Sequence, residues 1–338
     1  MNLFSGIGIT CLVPVQRVYW IALLLRDVLN LFFLLRCSMS WLRWVLCAAL
    51  GIACVNLPAE DLSGRIVFLI SPPRSMSAAC ARMMQARGDF EVFHEPFHLP
   101  YVCEFHPHYA PYVFEPGLYA TYQEVKQMLF DAAESKGVFV KEMSFDLREY
   151  LLNDLELVRD KRVSFVFLMR DPHSSVISFY RKSQFCPSML NYLIGYEPLY
   201  HIFETVKKES PNRILLLSAE ELAEDPEEII EKLCQDLDIP FLDNALHWAS
   251  AEEGFDVHKE WHEMKKDEAV ALWHQDALKS TGFKPLSRYA VDAAGNPIFE
   301  EIATPEYREK YQEAYFYNLQ FYELIRNDPL FQLPQENH

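Results

Sequence analysis

The sequence has few basic residues for a chain of its length. Its 338 residues include 31 Lys and Arg against 48 Asp and Glu, which gives a formal net charge of −17. A duplex-DNA-binding protein normally carries a basic stripe, and the sequence contains none. We therefore expect no nucleic-acid partner. Any strongly anionic ligand must be held by a local cluster of arginines, lysines and backbone N–H groups.

The sequence also lacks the cysteine pattern of a zinc site or a disulfide framework. None of its eight cysteines forms a Cys-x-x-Cys pair, and they are widely scattered. We expect free, mostly buried thiols. Four histidines lie close together in the chain, but prolines between them break helical spacing and no cysteine accompanies them. These are His94, His98, His106 and His108. The pattern predicts no bound metal.

The first 60 residues contain no unbroken apolar run of the roughly 20 residues that a membrane-spanning helix needs. The apolar runs are Val18–Leu25, Val28–Leu35 and Trp44–Val55. Tolerating Arg26 would join the first two runs into a sufficient span. Three interpretations stay open for residues 1–60: a membrane anchor, a signal-like element starting at Met39, or a translated extension. We separate this hydrophobic segment from a globular domain over residues 61–338.

From Gly64 onward, short apolar runs alternate with amphipathic stretches. The predicted strands are Arg65–Ile70, Phe90–His94, Val138–Lys141, Val163–Met169 and Arg213–Leu217. The predicted helices are Ser75–Ala86, Tyr122–Ser135, Phe145–Arg159, one from His173, Leu199–Glu209, Pro226–Leu237 and Pro305–Ile325. The stretch Tyr101–Tyr119, rich in Pro, His and Tyr, is predicted as an irregular loop. Strands that alternate with helices predict an α/β fold of three αβα layers around a central parallel sheet.

The loop after the first predicted strand combines groups that bind phosphate. It runs from Pro72 to Ala78 with the sequence PPRSMSA and leads into a predicted helix, whose N-terminus offers unpaired N–H groups. Arg74 adds a charged fork, and Ser75 and Ser77 add hydroxyl donors. The loop is not a Walker A motif, because no GxxxxGK[ST] pattern is present. It therefore lacks the usual lysine for a γ-phosphate and the usual hydroxyl for Mg²⁺.

A second group of this kind follows the fourth predicted strand. Arg170, Asp171 and Pro172 come directly after the apolar run, and Ser178 lies eight residues beyond Arg170. Open α/β sheets bind ligands at the carboxyl ends of their strands. An arginine and a hydroxyl suit a phosphate dianion, so we expect Arg170 and Ser178 to hold one phosphate together.

Together the two motifs resemble those of the P-loop-fold sulfotransferases that use 3′-phosphoadenosine 5′-phosphosulfate. The first loop is similar to the family's 5′-phosphosulfate loop, and Arg170 with Ser178 is similar to its 3′-phosphate motif. A third stretch, Arg213–Pro226, is similar to the strand and Glu-Glu-Leu…Asp-Pro segment that usually follows. The resemblance covers roughly residues 64–240. It is closest to a bacterial and plant-like branch with a PPRSMS loop, and it implies a P-loop-NTPase-like sulfotransferase fold.

The resemblance implies a set of donor-binding residues in this chain. The first loop would hold the 5′-phosphosulfate, with Arg74 also contacting the bridging oxygen. A late basic loop would close over the 3′-phosphate. Lys141 resembles the family lysine that steadies the leaving group, and no metal would be needed. The implied donor contacts are Arg74, Ser75, Met76, Ser77, Ala78, Arg170, Ser178, Lys279, Thr281 and Gly282.

The sequence departs from the family pattern at three places. Met76 stands where many members have glycine, and Ala219 replaces an aromatic residue that often lies near the adenine. The histidine of the cytosolic branch's Lys-x-His pattern is Met143 here, so another base must take the acceptor's proton. We favour Glu95, which resembles the Glu-Pro element of carbohydrate sulfotransferases. The alternatives are His94, His98 and Glu142.

The resemblance predicts transfer of a sulfuryl group to an acceptor hydroxyl or amine. Acceptor specificity is expected in Tyr101–Tyr119 and Gln184–Tyr200, whose aromatic residues suit a small-molecule, carbohydrate or lipid acceptor without choosing among them. Two other interpretations stay open, namely a kinase-like P-loop enzyme and an inactive nucleotide-binding scaffold. We expect the chain to be cytoplasmic, or membrane-associated through residues 1–58. The sequence does not indicate an oligomeric state.

Overall fold

The computed structural model describes residues 62–332, apart from 185, 251–253 and 288. The hydrophobic segment over residues 1–60 and its three interpretations therefore lie outside the described residues. Within the part of the chain that is described, no helix is both long and apolar enough to cross a membrane.

The centre of the domain is a five-stranded, all-parallel sheet with the order β2-β3-β1-β4-β5. The strands are Ile66–Ser71 (β1), Phe90–His94 (β2), Gly137–Met143 (β3), Val163–Met169 (β4) and Ile214–Ser218 (β5). The predicted α/β fold with a central parallel sheet is confirmed, and each predicted strand is found within a few residues of its bounds. Continuous apolar runs form these strands because both faces of a parallel sheet are covered.

Helices cover both faces of the sheet. They are Ser77–Arg87 (α1), His98–Phe105 (α2), Ala110–Val113 (α3), Tyr122–Ala133 (α4), Ser144–Asn153 (α5), Leu155–Arg159 (α6), Pro172–Ser183 (α7), Leu190–Leu193 (α8), Tyr196–Glu209 (α9), Ala219–Glu224 (α10), Pro226–Asp236 (α11), Val257–Glu260 (α12), Asp267–Leu278 (α13), Pro305–Arg326 (α14) and Pro329–Gln332 (α15), with a 3₁₀ turn at Asp243–Leu246.

Alternate residues of β1 enter two different hydrophobic cores. Ile66 and Phe68 pack in a core on one face of the sheet, whereas Val67 and Leu69 pack in a core on the other face. Successive side chains of a strand point to opposite faces, so an all-apolar strand needs cover on both sides. A third cluster joins α7 to α14, where Tyr311 is fully buried. Aromatic residues of this last long helix thus pack against the domain.

Two of the sequence-based element predictions are wrong in part. The predicted loop Tyr101–Tyr119 is helical over about half of its length, in the last five residues of α2 and in α3. Its prolines are compatible with helix because Pro100 and Pro111 lie in first turns, where no backbone N–H is required. Buried side chains such as Val102 fix these helices to the core.

The stretch Phe145–Arg159, predicted as one helix, is interrupted in the structure. It forms two, because Asp154 leaves helical geometry with φ −114° and ψ 72°. Its carboxylate accepts a hydrogen bond from the backbone N–H of Leu157 at 3.0 Å. Aspartate in this position starts a new helix by satisfying an amide that has no partner in the first turn.

Candidate active site

A cavity of about 680 Å³ lies at the carboxyl ends of the strands. Four strands bring a charged residue to its wall. Arg74 lies in the loop after β1, Glu95 directly follows β2, Lys141 lies near the end of β3, and Arg170 directly follows β4. The order of the sheet explains this meeting. Because β1 lies between β3 and β4, the loops after all three strands share one edge, where α/β folds bind ligands.

The loop after β1 has the backbone geometry of an anion-binding turn. Arg74 and Met76 both have positive φ, at 66° and 71°. Met76 is the residue immediately before α1, so the first amides of that helix face out of the same turn. Alternating left-handed residues direct successive N–H groups into one concavity, which favours an anion. Met76 therefore keeps the left-handed conformation that glycine adopts easily, although it carries a side chain.

The loop also contains a buried hydroxyl without a partner. Ser75 is fully buried, and its Oγ has no hydrogen-bond partner among the described residues. The neighbouring Ser77 and Ala78 belong to the first turn of α1, and all three residues line the cavity. A buried donor without a partner costs roughly 1–3 kcal/mol, so such groups are commonly completed by a ligand.

Hydrogen bonds join the two predicted phosphate motifs. Arg170 donates from Nη1 to the carbonyl oxygen of Arg74 at 2.9 Å. Arg74 in turn donates from Nε to Ser178 Oγ at 3.1 Å and from Nη1 to the carbonyl oxygen of Trp273 at 2.8 Å. Partial burial of the guanidinium lowers the pKa of Arg74. Two arginines and a serine, expected from the sequence in two separate places, thus lie at one edge of the sheet.

Glu95 lies between two lysines behind this edge. It forms ion pairs with Lys141 through one carboxylate oxygen and with Lys265 through the other, the latter at 2.6 Å. Burial raises the pKa of Glu95, but the two ammonium groups outweigh burial and hold that pKa well below its usual value. Glu95 also has a positive φ of 52°, a strained conformation that surrounding contacts must stabilise.

The network extends to three residues that sequence reasoning missed. Lys265 Nζ also lies 3.3 Å from Glu263 Oε1. The other carboxylate oxygen of Glu263, Oε2, forms a hydrogen bond of 2.8 Å with His94 Nδ1. His274 lies 3.9 Å from Glu95. Lys265 and His274 line the cavity. Glu263 and Lys265 lie between α12 and α13, and His274 lies inside α13. None of the three follows a strand, so no strand end points to them in the sequence.

The side chains of His94, Glu263 and His274 could each offer one metal ligand within 4.8 Å of the others. The chemistry of the surroundings does not suit a divalent cation. Lys141 is ion-paired with Glu95, and Lys265 is ion-paired with Glu263. These two buried ammonium groups would repel a divalent metal ion placed beside them.

The predicted bases differ in their access to the cavity. Glu95 and His98 line it, whereas His94 and Glu142 are not among its lining residues. Glu142 accepts hydrogen bonds from the backbone N–H groups of Phe97 and Met143, each at 2.8 Å. Burial raises the pKa of Glu142 well above its usual value.

The late loop contributes other residues than the sequence predicted. Gly282 lines the cavity, but Lys279 and Thr281 are not among the lining residues, whereas Lys284 is. A Cβ on Gly282 would come within 3.2 Å of the carbonyl oxygen of Leu246, so close backbone packing accounts for the glycine.

The two stretches expected to contact the acceptor line the same cavity. Tyr101, Val102 and Val113 come from the first stretch, and Met189 and Leu193 come from the second. They form a largely apolar wall beside the charged edge. The cavity therefore has one charged side and one apolar side.

A family model for the sulfotransferase domain matches residues 65–292. The chain belongs to the sulfotransferase family. The chain is 26% identical over 241 residues to branched-chain-amino-acid aminotransferase-like protein 2 of Arabidopsis thaliana, a match that covers 66% of this chain and 37% of that protein. A second Arabidopsis thaliana relative, branched-chain-amino-acid aminotransferase-like protein 1, is 27% identical over 225 residues, or 65% of this chain and 36% of that protein. The chain thus spans little more than a third of the length of these curated relatives.

Among solved structures, the chain is similar to the sulfotransferase domain of the Synechococcus PCC 7002 olefin synthase. The TM-score is 0.46 at 17% identity, over 82% of this chain and 98% of that one. A mouse sulfotransferase complexed with PAP gives a TM-score of 0.38 at 12% identity, over 79% of this chain and 87% of that one.

Proposed function

We propose that this sulfotransferase moves a sulfuryl group from 3′-phosphoadenosine 5′-phosphosulfate to an acceptor hydroxyl or amine by in-line displacement. The observation that carries the proposal is the hydrogen bond from Arg170 to the carbonyl oxygen of Arg74. It joins the predicted 3′-phosphate and 5′-phosphosulfate motifs at one edge of the sheet. A donor with phosphates at both ends of its ribose requires two neighbouring anion sites of this kind.

The residues present fit such a donor. The buried Ser75 Oγ and Arg170 Nε have no hydrogen-bond partner among the described residues, and both belong to the proposed phosphate contacts. Arg74, Ser77 and the first amides of α1 would hold the 5′-phosphosulfate, while Arg170 and Ser178 would hold the 3′-phosphate. Of the three predicted late-loop contacts, Gly282 supports the proposal best, because Lys279 and Thr281 are not among the residues that line the cavity.

Lys141 is proposed to neutralise charge on the leaving phosphate. Its ammonium group is buried, lines the cavity and is bonded to Glu95. A fixed cation in a site of low dielectric stabilises developing negative charge more strongly than it would in water. The role of Glu95 as the base stays a prediction from the sequence.

The domain boundary and the location are further proposals. We propose that residues 61–338 bind the donor without residues 1–60, since every proposed donor contact lies after Asp61. The domain would act in the cytoplasm, or at a membrane on the side that contains the donor, on a small-molecule, carbohydrate or lipid acceptor. Binding of the donor product to a chain shortened to begin at Asp61 tests the boundary, and loss of folding on shortening would contradict it.

The decisive experiment is calorimetric titration of the full chain with 3′-phosphoadenosine 5′-phosphate, with ATP–Mg²⁺ as the comparison. We expect a Kd of roughly micromolar order for the bisphosphate and no measurable binding of ATP–Mg²⁺. Preference for ATP–Mg²⁺ would contradict the proposal and favour a kinase-like enzyme. Binding of the bisphosphate without turnover across small-molecule, carbohydrate and lipid acceptors would favour an inactive scaffold.

A further inference from the structure

Sulfuryl transfer to a hydroxyl needs a group that takes the acceptor's proton and lies open to the acceptor. We propose that His98, oriented by Asp146, is this proton acceptor, and that Glu95 is instead a positioning residue for Lys141 and Lys265. The inference rests on the proposed function and assigns the acceptor half of the same site.

His98 and Asp146 have the geometry of an oriented imidazole. His98 is the first residue of α2, and Asp146 lies in the first turn of α5. The distance from His98 Nδ1 to Asp146 Oδ2 is 2.9 Å, and Asp146 is completely buried. A carboxylate accepts the N–H of Nδ1, which leaves the lone pair of a neutral imidazole on Nε2. Nε2 has no hydrogen-bond partner among the described residues.

The imidazole of His98 is accessible from the cavity. His98 lines the cavity, and its side chain is 15% exposed. It lies three residues after Glu95 in the chain, and Asp146 lies five residues after Lys141, so the pair follows the same two strand ends as the charged network. The apolar residues Tyr101 and Val102 follow on α2 and also line the cavity. An acceptor lying on this wall would therefore meet His98 beside the charged edge.

Glu95 is poorly suited to accept the proton. Both of its oxygens are bonded to ammonium groups, one to Lys141 and one to Lys265. These cations hold its pKa well below the usual value against the opposing effect of burial. A carboxylate so stabilised in its ionised form is a weak base. The same contacts fix both lysines in place, which is what a positioning role requires.

The other histidines that line the cavity are also less suitable. Burial lowers the pKa of His274 well below its usual value, and His94, Lys141 and Lys265 add to this effect. The Nε2 of His106 shares a hydrogen bond with the hydroxyl of Tyr101 at 3.1 Å. His108 is exposed, and no carboxylate contact orients it among the described residues. His98 alone among these four combines a buried carboxylate partner with a free nitrogen.

The proposed step transfers one sulfuryl group and one proton. The acceptor oxygen forms a bond to sulfur while the bond between sulfur and the 5′-phosphate oxygen breaks, and that oxygen keeps the electron pair. Arg74 and Lys141 face the charge that develops on the phosphate. His98 takes the acceptor's proton on Nε2, and Asp146 stabilises the resulting imidazolium, which later returns the proton to water. The products are a sulfate ester and 3′-phosphoadenosine 5′-phosphate.

The reverse reaction tests this assignment with defined probes. The full chain is given 3′-phosphoadenosine 5′-phosphate and either 4-nitrophenyl sulfate or phenyl sulfate, and release of the phenol is measured. By microscopic reversibility, protonated His98 must donate a proton to the leaving phenolate. Phenolate needs that proton, whereas 4-nitrophenolate is stable without it. We expect His98→Gln to lose about 100-fold or more in kcat with phenyl sulfate and only a few-fold with 4-nitrophenyl sulfate.

Matched variants separate proton transfer from binding. Asp146→Asn should lower kcat for phenyl sulfate with little change in KM, because the imidazole stays but loses its orientation. His201→Gln, at a half-buried position of α9 that is not among the residues lining the cavity, should behave as the wild type. Equal loss on both esters would mean that His98 only binds or supports the site. Full activity of His98→Gln on phenyl sulfate would also overturn the proposal.

A second measurement does not depend on turnover. Nitrogen NMR of the full chain with ¹⁵N-labelled histidine reports which ring nitrogen of His98 carries hydrogen, and His98→Gln identifies the signal. We expect hydrogen on Nδ1 in the wild type and a shift toward Nε2 in Asp146→Asn. Hydrogen on Nε2 of the wild type would overturn the proposal even if neither ester reacts. Failure of the bisphosphate to bind would instead contradict the proposed function.

Discussion

Arg170 donates a hydrogen bond of 2.9 Å from Nη1 to the carbonyl oxygen of Arg74, a residue 96 positions earlier in the sequence. The bond connects a strand end to a loop that has left-handed backbone at Arg74 and Met76. Arg170 fixes the loop through this bond, and the same guanidinium is proposed to contact the 3′-phosphate. Its Nε has no partner among the described residues, so a donor remains for a ligand.

Replacing Arg170 by alanine should weaken binding of 3′-phosphoadenosine 5′-phosphate by roughly 10- to 100-fold. A hydrogen bond to a charged group contributes about 1.5–3 kcal/mol, and each 1.4 kcal/mol is a tenfold change in Kd. Calorimetric titration measures the change. Adenosine 5′-phosphosulfate, which lacks the 3′-phosphate, should lose much less binding affinity in the same variant.

The control for this prediction is Arg162→Ala. Arg162 is also ion-paired, to Asp160 at 2.7 Å, but it is not among the residues that line the cavity. Its removal should leave both affinities unchanged. Equal losses for the two nucleotides in Arg170→Ala would show that the arginine supports the loop without contacting the 3′-phosphate.

Ser75→Ala should change stability and affinity in opposite directions. The Ser75 hydroxyl is fully buried without a partner among the described residues, so its removal should raise the free energy of unfolding by roughly 1–3 kcal/mol in the absence of ligand. The same change should weaken binding of 3′-phosphoadenosine 5′-phosphate by about tenfold, because the proposed phosphate contact is lost.

Denaturant unfolding and calorimetry measure the two effects of Ser75→Ala separately. Ser135→Ala is the matched control, since its exposed hydroxyl donates to the carbonyl oxygen of Ala132 far from the cavity. A destabilised Ser75→Ala with unchanged affinity would mean that the hydroxyl has a structural partner and no ligand.

The sequence predicted those parts of the site that follow from strand ends. Apolar runs predicted all five strands, and the carboxyl ends of parallel strands meet at one edge, so Arg74 and Arg170 were expected there. The spacing from Arg170 to Ser178 was a second sequence signal. The structure adds the hydrogen bond from Arg74 to Ser178, whereas the expectation paired Ser178 with Arg170.

The charged network could not be predicted in the same way. Glu95 and Lys265 are 170 positions apart, and Lys265 follows an irregular stretch with no hydrophobic period. Long-range ion pairs depend on how loops are placed in three dimensions, and no local pattern encodes that placement. The helices of Tyr101–Tyr119 were missed for a related reason: burial of residues such as Val102 stabilises them against a composition typical of loops.

Two substitutions of Met76 test the left-handed backbone of the loop. With φ at 71°, Met76→Gly should relieve a steric cost of about 1–2 kcal/mol and add roughly 1 kcal/mol of unfolded-state entropy, so stability should change little. Met76→Val places a β-branched residue at positive φ and should be clearly less stable than Met76→Gly. Denaturant unfolding of the pair measures the difference. Equal stability of the two variants would mean that the loop does not hold this conformation.

Glu95→Gln should destabilise the fold in a pH-dependent way. The change leaves Lys141 without its carboxylate partner and Lys265 with Glu263 alone, so we expect a loss of about 3–5 kcal/mol near neutral pH. Because the pKa of Glu95 is held well below its ordinary value of 4.5, the ionised group stabilises the folded state above that value. This contribution is lost as the pH falls from about 4.5 through the folded-state pKa.

Unfolding by denaturant at several pH values between neutral and strongly acidic measures the difference in free energy of unfolding between wild type and Glu95→Gln, called the stability gap below. The gap should be constant above about pH 4.5 and should narrow steadily below it. Glu115→Gln, a matched change at an exposed glutamate, should show no gap at any pH. A gap that persists in strong acid would mean that Glu95 stabilises the fold through its shape and packing, and the two lysines would then not depend on its charge.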